Sequence, residues 1–148
     1  MKILLDTNIL VHAYNKSSPN QKQASKIIRQ AIKGEIDAYL TSQILYEFFA
    51  VVTDNRRVES PMGLDEAADL CLDLWGCREI EKLNSTPLTP NEVFKQAKEQ
   101  KLTKSRIFDC IIAVTAKENK IDVIYTENVS DFEKYGFIKV LNPFRLER

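Results

Sequence analysis

Three carboxylates stand among apolar neighbours in this chain: Asp6, Glu47 and Asp109. Asp6 closes the run Ile3, Leu4, Leu5, which suits a short strand buried on both faces, and ligands in open α/β sheets bind just outside the carboxyl ends of strands. Glu47 has Ile44, Ala50 and Val51 as its i−3, i+3 and i+4 neighbours, and Asp109 is followed by Ile112, Ala113 and Ala116 at i+3, i+4 and i+7. Helical spacing therefore turns both towards apolar stripes. A buried unpaired carboxylate is costly, so three in one interior require a cation or a strong hydrogen-bond network. A divalent metal answers all three at once, and hard oxygen donors without a His or Cys cluster point to Mg²⁺ or Mn²⁺ and away from zinc. Each acid also has a plain structural reading. Asp6 can cap a turn, Asp109 can be a helix N-terminal acid favoured by the dipole, and Glu47 can pair with Arg106.

The elements that must position these acids follow from the periodicity. Residues 3–5 read as a strand, and residues 19–34 as an amphipathic helix with Pro19 in its first turn and Gly34 at its C-cap. Residues 38–41 form a second short strand, after which Ser42 is placed to cap a helix through Val52. A polar loop over 55–63 precedes a helix over 64–75; residues 85–90 break the pattern and are expected to hold a short strand before a helix over 91–100. The helix over 105–119 has almost no polar face and must be central. A strand over 122–126, a helical turn over 130–135 and an edge strand over 138–141 complete the alternation. Strands alternating with helices imply an α/β sandwich around a mainly parallel sheet.

Composition narrows the classes without choosing one. With 148 residues and 44% hydrophobic content, one domain spanning residues 1–148 is expected. Lys plus Arg and Asp plus Glu are both 21, so a polyanion must be held by a local cationic patch or through metal ions. Cys71, Cys77 and Cys110 lack C-x-x-C spacing and read as free thiols. The opening residues reach Asp6 too early for a signal peptide, and no apolar run approaches bilayer length, so a soluble cytoplasmic protein with no membrane partner is expected.

Four segments together resemble the motifs of PIN domains. Leu4-Leu5-Asp6-Thr7-Asn8-Ile9-Leu10 is similar to the first, Ser42 with Glu47 to the second, and Phe108-Asp109-Cys110-Ile111-Ile112-Ala113 with Ala116 to the third. Tyr125-Thr126-Glu127-Asn128-Val129-Ser130-Asp131-Phe132 resembles the fourth. The resemblance spans essentially the whole chain and is nearest to VapC-type toxins. It implies a three-layer α/β/α sandwich and a ribonuclease using one or two Mg²⁺ or Mn²⁺ ions. It also implies products carrying a 5′-phosphate and a 3′-hydroxyl, a small antitoxin partner and a homodimer, for which the apolar 64–75 region offers either an interface or simply a buried core face. The implied acids are Asp6, Glu47, Asp109 and Asp131, with Asp6 and Asp109 as direct ligands and Glu47 either completing the shell through water or acting with the metal to position the attacking water. One departure stands out: many relatives have Asp two residues after the strand-ending Thr, where this chain has Asn128. Asp131 is then the fourth acid, or a cap of its own helical turn, and Asn128 a neighbouring ligand or orienting group. Asn8 and Thr126 would orient ligands, or simply bond their local turns.

Lys104 and Arg106, just before Asp109, and Arg56-Arg57, after the Glu47 helix, are candidates for phosphate contacts, against a solvated-face reading for each. The lone His12 has no Ser, Cys or second His to make a triad and reads as structural. An Asp-nucleophile phosphatase would carry a second Asp where Asn8 stands. A PIN-like module that binds RNA or protein without cutting is the other alternative, favoured by Asn128 and opposed by the three retained acids.

Overall fold

The structure, a computed structural model, describes residues 1–145. The first strand, β1 (Lys2–Leu5), leads through α1 (Thr7–Tyr14) and α2 (Gln21–Ile32) to β2 (Asp37–Thr41). Then come α3 (Ser42–Val52), α4 (Leu64–Gly76), β3 (Ile80–Leu83), α5 (Thr89–Gln100), α6 (Arg106–Glu118), β4 (Val123–Tyr125), α7 (Val129–Glu133) and β5 (Lys139–Leu141). The strands form one sheet in the order β3-β2-β1-β4-β5, and every pairing is parallel. Parallel strands need crossovers, and the principal helix contacts run within α1 to α4 and within α5 to α7, giving the expected α/β/α sandwich.

β1 is central because it carries nothing that must see water between Ile3 and Leu5, which are at most 4% exposed. The chain winds outward from β1 through β2 to β3, then returns across the sheet to β4, so the winding reverses between β1 and β4. Leu5 pairs with Tyr125 in register, and the next residue on each strand is Asp6 and Thr126. Register alone thus brings two polar side chains together at the switch point of the sheet. On α6, Ile112 to Ala116 are all buried, which accounts for a helix with almost no polar face.

Several local expectations need correction. The cap of α3 is Thr41, whose hydroxyl accepts from the Ile44 amide at 3.1 Å; Ser42 is already helical. The third strand lies at Ile80–Leu83 and not within 85–90, because a four-residue edge strand holding Glu81 and Lys82 shows little apolar periodicity. No element was expected over Thr7–Tyr14, where Asp6 instead starts a helix by accepting from the Thr7 amide. Pro19 precedes the α2 cap residue, Asn20, while Gly34 does follow the helix with φ +69, a conformation that suits glycine. The three cysteines are unpaired, as expected. No helix among the described residues is long and apolar enough to cross a membrane.

Candidate active site

Asp6 is 6% exposed and held by three donors. Its Oδ1 accepts from the Thr7 amide at 2.8 Å, and its Oδ2 accepts from the Asn8 amide group at 3.1 Å and the Thr126 hydroxyl at 2.7 Å. Thr126 is fully buried, and its oxygen also accepts from Asn8 Nδ2 at 3.0 Å and from the Asn128 amide at 3.0 Å. The Asn8 side-chain oxygen in turn accepts from the Glu127 amide at 3.0 Å. Asn8 and Thr126 therefore orient the Asp6 carboxylate and bond the turn after β4 at the same time.

Glu47 reaches this knot from α3. The Thr7 hydroxyl donates to its Oε2 at 3.0 Å, and Gln43, one turn earlier, donates to its Oε1 at 2.9 Å and to the Phe108 carbonyl at 3.0 Å. Gln43 thereby ties α3 to the first turn of α6, which carries Asp109. The two carboxylates are only half-buried. The interior position read from apolar spacing holds fully for Asp6 alone, because α3 and α6 present Glu47 and Asp109 on the flanks of their buried stripes. Asp131 is half-buried in the first turn of α7, where Asn128 is the cap residue and makes no side-chain cap bond.

These acids act on one another. Burial raises the Asp109 carboxyl to about 6, reinforced by the charges of Asp6, Asp131 and Glu47 and opposed by Lys134. Burial also raises Asp6; the bonds from Thr126 and Thr7 pull it down, and Glu47 and Asp131 push it up again. Among the described residues none of the four acids joins an ion pair, so the Glu47–Arg106 pairing does not form. Among the described residues the one cation that offsets the charge at Asp109 is Lys134, which no sequence pattern marks because it sits three residues past Asp131 outside any apolar stripe.

Asp6, Glu47, Asp109 and Asn128 open onto a cleft of about 680 Å³ that extends towards the α1–α2 loop. Thr126 lies behind Asp6, and Asp131 is not part of the cleft wall. Arg57 lines the cleft, whereas Lys104 and Arg106 are exposed residues outside its lining. Arg56 is held by Asp54 through two bonds of 3.0 Å. His12 also lines the cleft, with Nδ1 2.6 Å from Ser18 Oγ and Nε2 2.8 Å from Glu127 Oε2. It bridges two loops, in keeping with a structural role.

Fold and site together define an all-parallel α/β/α sandwich with an acidic, hydrogen-bond-ordered cleft at the switch point of its sheet. The chain belongs to the PIN-domain family, whose model matches residues 3–138. It is 28% identical over 139 residues to a protein named Ribonuclease VapC24 from Mycobacterium tuberculosis, a match covering 94% of each chain. Its fold is shared with the M. tuberculosis toxin VapC20, described as cleaving the sarcin-ricin loop (TM-score 0.70, 15% identity, 95% of this chain and 100% of that one). The same holds for VapBC2 of Rickettsia felis, solved on a promoter DNA fragment (TM-score 0.65, 19% identity, 96% and 98% covered).

Proposed function

We propose that this protein is a metal-dependent endoribonuclease that hydrolyses RNA phosphodiester bonds, and that it is the toxin of a toxin–antitoxin pair. The observation that carries the reading is the set of three mutually repelling carboxylates on the cleft wall, with Asp131 close enough to add its charge and, among the described residues, no ion pair to any of them, in a PIN frame. A carboxylate offers about four acceptor positions; three on Asp6 are taken, which leaves one on Oδ1 for a ligand. All four acids are hard oxygen donors, which fit Mg²⁺ or Mn²⁺. Among the described residues no three Asp, Glu, His or Cys side chains come together as a group that could hold an ion by themselves. Such an open site suits Mg²⁺, which keeps several waters and takes only one or two carboxylates directly.

Asp6 and Asp109 would hold the ion, with Glu47 and Asp131 acting through water. The ion would make a bound water more acidic and offset the charge that develops on the phosphate. Thr126 and Asn8 fix the Asp6 plane, and Thr7 with Gln43 fix that of Glu47, so the acids are oriented before substrate arrives. Attack by water leaves a 5′-phosphate and a 3′-hydroxyl.

The apolar groove between α3 and α4, about 450 Å³ and lined by Leu45, Tyr46, Phe49, Leu72 and Trp75, offers a surface for the antitoxin or for a second copy. It includes much of the region expected to serve dimerisation. The chain would act in the cytoplasm as a single nuclease domain.

Cleavage of single-stranded RNA in Mg²⁺ or Mn²⁺ should disappear in folded Asp6→Asn and Asp109→Asn variants. Parental rates in either variant would end the acidic-site model. The neutral Asn128 keeps one rival open, a module that binds RNA without cutting. A parent that retains RNA yet releases no 3′-hydroxyl ends from any substrate would favour it.

A further inference from the structure

We infer that the arm of the cleft between Arg57 and the α1–α2 loop is a subsite for a nucleotide flanking the scissile phosphate, with Arg57 as its phosphate ligand. This rests on the nuclease reading of the same cleft. A cleft of about 680 Å³ lies within the range of roughly 300–1,000 Å³ that holds ligands well larger than one phosphate group. Besides the acids, its lining includes Asn15, Ser17, Ser18 and Pro19 of the α1–α2 loop and Arg57 from the loop after α3.

Charge singles out Arg57. Asp6, Glu47, Asp109 and Glu127 all line the cleft, and Arg57 is its one Lys or Arg among the described residues. A polyanion entering the cleft is repelled by these carboxylates and attracted at Arg57. The guanidinium is also uncommitted. Asp54, the acid it influences, already has both oxygens bonded to Arg56, and Arg57 forms no ion pair among the described residues. The backbone that carries it is nevertheless fixed, because the Arg57 and Val58 amides donate to the Asp54 carbonyl at 3.0 and 3.1 Å and Val58 is buried. A planar donor fork on a fixed turn beside an acidic centre matches phosphate recognition.

The α1–α2 loop is also ordered. His12 joins Ser18 to Glu127, and the Asn15 side-chain oxygen accepts from the Ser17 amide at 3.1 Å. That leaves the Asn15 amide hydrogens available for a base edge.

The test pairs Arg57→Gln with Arg57→Lys and with Lys26→Gln, which removes the same charge from an exposed position on α2 outside the cleft. In steady-state cleavage of a single-stranded RNA, Arg57→Gln should raise KM about tenfold with kcat within about twofold, Arg57→Lys should recover part of the loss, and Lys26→Gln should match the parent. In anisotropy titrations of a labelled RNA, the slope of log affinity against log salt should become shallower by about 0.7 in Arg57→Gln. Unchanged KM and slope overturn the subsite, as does a loss confined to kcat. If the parent cuts nothing, the nuclease reading fails and the binding titration alone decides: a weaker, less salt-dependent Arg57→Gln supports the subsite, and equal binding or no RNA binding by the parent refutes it.

Discussion

Asp6 serves as helix cap and as proposed ligand through the same carboxylate, and Thr126 is what reconciles the two tasks. Its hydroxyl donates the shortest bond to Asp6 while accepting from Asn8 and Asn128. Thr126→Val keeps the shape and leaves those donors unmatched, so it should lower stability by about 1–3 kcal/mol in denaturant melts; the same variant should lower kcat by about tenfold. Asp109 makes the opposite prediction. Its folded pKa, about 6, lies above the ordinary aspartate value of 3.8, so the fold binds its proton more tightly than the unfolded chain does. Stability is therefore lost as pH rises from about 4 to 6 and stays lost above that range. Asp109→Asn should raise the thermal midpoint at pH 7.5, with the gain shrinking as pH falls through 6 towards 4. A midpoint that drops at pH 7.5 would contradict the repulsion.

At the scale of elements, strands and caps place these groups. β1 supplies Asp6 and the middle of the core at once, so Leu4→Ala should cost about 2–5 kcal/mol by equilibrium unfolding. Thr41 begins the helix that carries Glu47; Thr41→Ala should cost about 0.5–2 kcal/mol and lower activity more than that loss of stability explains, because α3 then starts less firmly. These elements differed in how plainly the sequence marks them. β1 and α6 are continuous apolar runs and were readable. β3 was misplaced because edge strands need only one buried face, and α1 was missed because its start signal is Asp6 itself, which the apolar pattern had already assigned to the end of a strand.

For the whole molecule, a net charge of zero conceals an acidic cleft that no overall count could reveal. A ligand that binds only the folded state stabilises it by RT ln(1 + [L]/Kd). Mn²⁺ should therefore raise the parent's thermal midpoint at pH 7.5 and raise that of Asp6→Asn much less; equal shifts would place the ion elsewhere. The residue types and their order determined the class of fold and singled out Asp6, Glu47 and Asp109, because buried strands, helical stripes and misplaced carboxylates are local patterns, whereas Asp131 is marked only by its likeness to a PIN motif. Which groups meet was settled only by tertiary structure. The pairing of Leu5 with Tyr125 joins Asp6 to Thr126 across 120 residues, and the packing of α3 near α6 links Gln43 to Phe108. The cation that faces the cleft was likewise undecided in sequence: Arg56 and Arg57 are adjacent and identical in type, and only the turn at Asp54 directs one to an ion pair and leaves the other on the cleft wall.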